Sequence, residues 1–303
     1  MKIEFTKMHG CGNDYVYING FTQKIPQEQK PELVRLLSDR HFGIGSDGVI
    51  FINPGSAADF EMEMYNLDGS RGEMCGNGIR CVARYVYDHG MTQSEEFTVE
   101  SFGRVKHLKV FPQGPDGAGT EFFVTVNMGE PCLLADKIPV VSDHQTVKDE
   151  PILVGGHEYR MTCVSMGNPH AVIFVRNAEE GALPGMEAGG TLKDLRIEKI
   201  GPLFENHERF PARTNTEFVE IVSRDYVRMR VWERGSGETL ACGTGCCATA
   251  VACAENGFTD DEVTVEVLGG KLLIRWDRST NEVWMTGPAK TVFEGTFDTE
   301  DFI

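Results

Sequence analysis

The chain has 303 residues, 46 acidic against 29 basic side chains and a net charge of −17, which argues against a nucleic-acid or anionic-membrane partner. Its length fits about two domains; no apolar run reaches membrane-spanning length and the first residues lack a signal-peptide core, so the cytoplasm is the expected compartment. Nine cysteines, an odd number with no Cys-x-x-Cys, read as reduced thiols, and no structural metal site is expected.

Residues 2–8 alternate Ile3 and Phe5 with polar neighbours, as a strand does. The glycine turn His9-Gly10-Cys11-Gly12-Asn13-Asp14 leads to a second strand at residues 15–18. Pro31 suits the first turn of a short helix over residues 31–39. A loop from Gly43 to Gly48 precedes a buried strand at residues 49–52 and an alternating one carrying Phe60, Met62 and Met64. Residues 66–72 form a loop ahead of Met74-Cys75-Gly76-Asn77-Gly78, which opens a helix. Three strands are expected near residues 97–100, 105–111 and 122–126, with a flexible connection at 114–119.

The order then recurs. A strand at residues 158–164, the turn Met166-Gly167-Asn168-Pro169-His170 and a strand at 171–175 precede a Gly-rich loop at 179–190. A short helix is expected over residues 192–200, then strands at 218–222 and 227–232. The loop at 233–240 leads to Ala241-Cys242-Gly243-Thr244-Gly245 and a second helix. Strands follow at 263–268, 272–276 and 283–286, and a last strand at 291–293 is assigned to the first domain. The fold class is therefore α+β, with two tandem pseudo-symmetric domains. Residues 1–128 plus 287–303 carry Cys75, and residues 129–286 carry Cys242. A ligand site is expected in the cleft between the copies.

The duplicated cysteine motif is the chemical signal. Ile79, Val82, Ala83 and Val86 follow Cys75 at i+4, i+7, i+8 and i+11; Cys246, Thr249, Ala250 and Cys253 follow Cys242 at the same spacings. Those intervals mark one face of a helix, so each cysteine stands at the first turn of a buried helix. Unpaired backbone N–H groups and the helix dipole there favour a thiolate and an anion. A single Cys-Gly-x-Gly is more often a small buried hydrophobe beside an ordinary helix start. Two at matched helix starts point instead to proton transfer at one carbon from two sides.

Other residues are open to two readings each. Asn13 and Asn168 lie in equivalent turns, and Asn66 and Asn215 flank strand segments; asparagine serves turns as well as ligands. Glu233-Arg234 is either a solvated pair or a clamp, with Arg holding a carboxylate and Glu an ammonium. His170 is either a satisfied turn histidine or a tuner of a nearby thiol. No Gly-rich phosphate loop appears, so a nucleotide cofactor is not expected.

Taken together, these motifs resemble the diaminopimelate epimerase family over almost the whole chain. The resemblance rests on His9-Gly10 with Gly12-Asn13-Asp14, Gly43-Ile44-Gly45, Asn66 with Asp68-Gly69-Ser70, and the Cys75 motif with Arg80. It continues through Met166–His170, Arg209-Phe210-Pro211, Asn215, Glu233-Arg234-Gly235, Gly237-Glu238-Thr239 and the Cys242 motif. It implies interconversion of LL- and meso-diaminopimelate without cofactor or metal, a curved, mostly antiparallel sheet around a central helix in each domain, and a homodimer.

The resemblance also implies roles. Cys75 and Cys242 are the two bases. Gly76-Asn77 and Gly243-Thr244 hold the reacting carboxylate, and Asn13, Asn66, Asn168, Asn215, Glu233 and Arg234 hold the rest of the small amino-acid substrate. His170 and Glu233 adjust the thiol pKa values. Gly48 departs from the pattern, standing where some relatives place a substrate-contacting glutamine. Cys11 beside Asn13 is unusual, and the loops at 113–120 and 178–190 look long for the family.

Overall fold

The computed structural model describes residues 1–115, 117, 119–175 and 191–302. The Gly-rich loop expected at 179–190 lies outside them, as do parts of the connection at 114–119. The described chain divides into two units, Met1–Asn127 with Thr286–Ile303, and Met128–Met285.

In the first unit the period-2 patterns become β1 (Lys2–Gly10), β2 (Asn13–Asn19), β3 (Gly48–Pro54) and β4 (Phe60–Asn66), with α1 (Lys30–Ser38) between the second and third. Then come α2 (Gly76–Asp88), β5 (Glu96–Ser101), β6 (Arg104–Phe111) and β7 (Phe123–Gly129). β1 pairs antiparallel with β2, β2 parallel with β3, β3 antiparallel with β4, β4 parallel with β5, and β5 antiparallel with β6. α2 packs on this sheet through Ile79, Val82, Ala83 and Val86, all fully buried, as the helical spacing requires. Beneath α1, Leu33, Val34 and Leu37 meet Val16, Val49 and Phe51.

The second unit repeats the scheme. β8 (Glu150–Val154), β9 (His157–Ser165) and β10 (Pro169–Phe174) precede α3 (Ile197–Glu205). Then follow β11 (Asn215–Ser223), β12 (Tyr226–Glu233), β13 (Gly237–Thr239), α4 (Gly243–Glu255), β14 (Glu262–Val267), β15 (Gly270–Asp277) and β16 (Glu282–Pro288). β9 pairs antiparallel with β10, β10 parallel with β11, β11 antiparallel with β12, β12 parallel with β14, and β14 antiparallel with β15. This is the pairing sequence of β1 to β6, strand for strand, so the fold is α+β with two tandem units of one design.

The two outermost strands close the correspondence. β17 (Lys290–Asp298) pairs antiparallel with β1, and β8 pairs antiparallel with β9. The C-terminal strand thus occupies in the first unit the place that β8 holds in the second.

Some elements differ from the sequence reading. The helix expected over 192–200 is a single 3-10 turn, Leu192–Asp194, closed by reciprocal Thr191–Asp194 bonds, followed by α3. α3 runs on through Pro202 to Glu205, past the end expected at residue 200. β8 and the three-residue β13 were not expected; both are too short to show a period. Among the described residues no helix is long and apolar enough to cross a membrane.

Candidate active site

Both cysteines are helix N-caps with nearly the same backbone. Cys75 has φ −131° and ψ 111°, and Cys242 has φ −110° and ψ 110°. This extended conformation lets the chain leave a strand or loop and turn into the helix. The last residue of each motif leaves little room for a side chain. A Cβ at Gly78 would lie 2.7 Å from Ile50 Cδ1 and 3.3 Å from Cys75 Cβ; one at Gly245 would lie 2.7 Å from Glu217 Oε1 and 3.2 Å from Cys242 Cβ. Each helix start therefore wraps closely around its own thiol.

In the first unit the thiol is half-buried. Cys75 Sγ accepts the Gly78 N–H at 3.2 Å and donates to Asn13 Oδ1 at 3.2 Å. Asn77 Nδ2 reaches the same Asn13 oxygen at 3.4 Å, while Asn77 Oδ1 accepts from Arg80 at 2.9 Å. Arg80 is fully buried and also donates to Gly76 O at 3.0 Å and Pro288 O at 3.3 Å. It thus braces the first turn of α2 from below. Asn13 opens β2 directly after the Cys11-Gly12 turn, opposite Gly10. Cys11 itself is buried, adopts φ 52° and takes a contact from Arg80 at 3.8 Å, which ties the turn to the same brace.

Asn66 closes β4 rather than opening a strand, faces Gly48 across the ladder and donates from its side chain to Ser70 at 3.0 Å. Gly48 cannot take over a glutamine's contact: a Cβ there would sit 2.0 Å from the Tyr65 carbonyl oxygen. Tyr15, beside Cys75, has its hydroxyl pKa held well above the ordinary value by burial, with Cys75 and Asp47 adding to the rise.

In the second unit Cys242 is buried, with Thr244 Oγ1 at 3.5 Å. Burial pushes its thiol well above the usual range, and the Glu233 and Glu217 carboxylates push the same way; Thr244 and the Gly245 N–H oppose them. Glu233, at the end of β12, is itself raised by burial, against a hydrogen bond from Thr239 and the influence of His170. The two thiols thus stand in different electrostatic settings despite matched backbones.

His170 lies on β10, not in the turn before it, and is fully buried. Its Nδ1 is 2.7 Å from Glu217 Oε1 and its Nε2 is 3.0 Å from Asn168 Oδ1; Asn168 Nδ2 reaches Thr244 at 3.3 Å. Glu217 is fully buried, and its Oε2 has no hydrogen-bond partner among the described residues. Asn215 opens β11, donates to Pro169 O at 3.1 Å and accepts the Arg234 N–H at 2.8 Å. The Arg234 side chain is exposed and donates to Ala212 O at 3.0 Å.

Within the first unit, then, Cys75, Gly76, Asn77 and Asn13 meet around one thiol. Within the second, Cys242, Gly243, Thr244, Asn168 and His170 are linked, and Asn215 at the start of β11 holds the turn after Glu233 through the Arg234 N–H. Sequence reasoning missed Asp47, Glu205 and Glu217. Glu217 gave no signal of its own, since Thr216 and Glu220 make the strand a mixed polar and apolar run. Cys132 is only half-buried, whereas Cys81, Cys163, Cys246, Cys247 and Cys253 are buried. Among the described residues no group of three or more metal-ligating side chains is arranged to hold an ion.

The chain was compared with known proteins. The diaminopimelate epimerase family model matches residues 5–134 and 162–292. A diaminopimelate epimerase of Agathobacter rectalis is 53% identical over 303 residues, covering 98% of this chain and 99% of that one. One from Methanococcus maripaludis is 49% identical over 296 residues, covering 98% and 100%. Among solved structures, a Bacillus anthracis phenazine biosynthesis protein of the PhzF family superposes with TM-score 0.66 at 14% identity, covering 98% of this chain and 99% of that one. A hydroxyproline epimerase from Agrobacterium vitis gives 0.63 at 17%, covering 98% and 91%. At such identities the structural likeness speaks for the fold alone.

Proposed function

The chain belongs to the diaminopimelate epimerase family, and from that premise we propose how its own residues perform the reaction. The protein is an isomerase that interconverts LL- and meso-diaminopimelate, a step of lysine biosynthesis. Cys75 and Cys242 are the two bases. One, as thiolate, takes the α-proton; the other, as thiol, delivers a proton to the opposite face. The carbon is inverted, and the thiol and thiolate have exchanged identities, ready for the reverse direction. The observation that carries this reading is the pair of cysteine N-caps with matching φ and ψ.

The carbanion needs its charge spread into the adjacent carboxylate. The backbone N–H groups at Gly76-Asn77 and Gly243-Thr244 are aimed outward from helix starts and serve that carboxylate. Asn13, Asn66, Asn168 and Asn215 hold the amino and carboxyl groups, and Glu233 and Arg234 take the amino-acid end that does not react. Burial, with the Glu233 and Glu217 carboxylates adding to it, keeps Cys242 protonated, which suits it to donate first; Cys75, only half-buried, suits the opposite role once substrate takes the Asn13 oxygen from its sulfur. His170 and Glu233 modulate the thiols.

The same proposal includes a homodimer and a cytoplasmic location. Val292 and Phe293 stand exposed on β17, an apolar pair on an outer strand that suits a second copy, and nine thiols suit a reducing compartment. Sedimentation checks the first. The two-base assignment is tested by solvent deuterium: wild type incorporates it at the α-carbon of substrate and product, and neither Cys75→Ala nor Cys242→Ala turns over. Ordinary turnover in either variant would refute it.

A further inference from the structure

Asn13 offers two faces, an amide oxygen and an amino group, and which one meets Cys75 decides whether the thiol or the thiolate is favoured. An amide can rotate by half a turn at little cost, so something must fix it. Asp47, in the loop before β3, does so. Its Oδ2 accepts from Asn13 Nδ2 at 2.7 Å and from the Asp14 N–H at 3.1 Å, while Oδ1 accepts from Arg40 at 2.9 Å. An ionised carboxylate only accepts, so the Asn13 amino group must face it. The Asn13 oxygen then faces Cys75 Sγ at 3.2 Å, with the longer Asn77 Nδ2 contact at 3.4 Å supporting the same orientation.

We propose that Asp47 is a positioning residue for Cys75: by taking the Asn13 amino group it turns the Asn13 oxygen to the sulfur and holds the resting Cys75 as a protonated thiol. The inference rests on the proposed role of Cys75 as a base. A hydrogen bond from the neutral form disfavours ionisation, and here it opposes the Gly78 N–H, which favours the thiolate. Substrate that claims the Asn13 oxygen for its ammonium group would remove the opposing bond and release the thiolate when it is needed.

The other groups near the thiol do not supply this effect. Tyr15 and Tyr17 from β2 and Cys81 from α2 are held above their ordinary pKa values by burial and stay neutral; the Tyr15 hydroxyl also bonds with Cys75 and Asn13, and as a donor to the sulfur it would favour the thiolate rather than the thiol. From β1, Lys7 is bonded to Asp14, and His9 Nδ1 accepts the Gly12 N–H. Arg40 bonds both Asp14 and Asp47, so Asp14 and Asp47 share their cations.

The test is the pH dependence of iodoacetamide labelling at Cys75, followed by peptide mass spectrometry on the full-length protein. Asp47→Ala removes the acceptor and lowers the midpoint by about one pH unit, the size of one hydrogen bond. Asn13→Ala lowers it similarly, and the double variant lowers it no further, because Asp47 acts through Asn13. Asp47→Asn is the decisive comparison. Its side-chain oxygen still accepts from the Asp14 N–H and from Asn13, and exposed Arg40 can move away, so the midpoint stays near wild type although the charge is gone. An Asp47→Asn shift as large as that of Asn13→Ala, or an unmoved midpoint in Asn13→Ala, overturns the proposal even if Asp47→Ala does not fold. Failure of the base assignment is read separately, as turnover by Cys75→Ala.

Discussion

The indole Nε1 of Trp232 donates to Glu205 Oε2 at 2.7 Å, while Oε1 of the same carboxylate accepts the Gly235 N–H at 2.9 Å. Arg213 adds a third donor at 2.9 Å. Residues on both sides of Glu233-Arg234 are thus tied to one buried side chain at the end of α3. Glu205→Ala leaves these donors without their acceptor and lets the turn drift. We expect kcat/KM for diaminopimelate to fall roughly tenfold or more, since small misplacement of binding groups is costly. Glu205→Gln, which keeps one acceptor, should lose less. Steady-state kinetics with thermal melts check the ranking; equal kinetics in all three proteins would show that the turn holds itself.

The two thiols give the plainest prediction. Cys75→Ala and Cys242→Ala should each lower epimerisation by at least about a thousandfold, because each removes an obligatory proton carrier. Melting temperatures should stay near wild type for Cys75→Ala, whose thiol is only half-buried. Mass spectrometry of solvent deuterium in the substrate pool measures the loss directly.

Glu233 should control Cys242 by charge. Burial raises that thiol most, and the Glu233 carboxylate adds to it. A neighbouring negative charge disfavours a second one, so Glu233→Gln should lower the labelling midpoint of Cys242, by about one pH unit. Peptide-resolved alkylation between pH 6 and 10 would show it. A midpoint that rises or stays put would remove Glu233 from the list of groups tuning this thiol.

Much of this was legible in the sequence because period carries the information. Ile79, Val82, Ala83 and Val86 are buried on one face of α2 as their spacing demands, and strand alternation located β1 to β6 within a residue or two at most ends. Side-chain partnerships were not legible. Asp47 and Asn13 are far apart in sequence and meet only because β2 and β3 are parallel neighbours. Glu217 faces His170 for the same reason on β10 and β11. Parallel pairing joins residues through a crossover, and no local pattern reports which ones.

Gly48 shows the opposite limit, where resemblance alone leaves a residue unexplained. Its backbone passes so close to Tyr65 that any Cβ must move a carbonyl in the adjacent strand. Gly48→Ala should therefore destabilise by about 3 kcal/mol, in the class of substitutions that force backbone apart. That corresponds to roughly 6–12 °C in Tm for units of this size. Gly48→Gln should be no less destabilised and should gain no affinity for substrate. Calorimetry of both variants decides; an unchanged Tm would mean that the strand yields freely here.

The last prediction concerns substrate choice. An α-proton next to an ammonium and a carboxylate is only weakly acidic, so binding at the remote end must help to hold the reacting carbon in place. Arg234 is suited to that: its backbone N–H is fixed by Asn215 at 2.8 Å, while its guanidinium is exposed and holds only Ala212 O, a bond a carboxylate can better. Lysine lacks the second carboxylate and leaves Arg234 without a partner, and proline also lacks the second ammonium that Glu233 would accept from, so neither should be turned over appreciably. Arg234→Ala should lower kcat/KM for diaminopimelate by about two orders of magnitude, mostly through KM, since losing a charged partner costs about 2–5 kcal/mol. Competition kinetics with the three amino acids test the first statement, and the variant's KM tests the second. Comparable kcat/KM for proline would show that the remote end contributes nothing, whereas a normal Arg234→Ala enzyme that still rejects lysine would move the clamp to another residue.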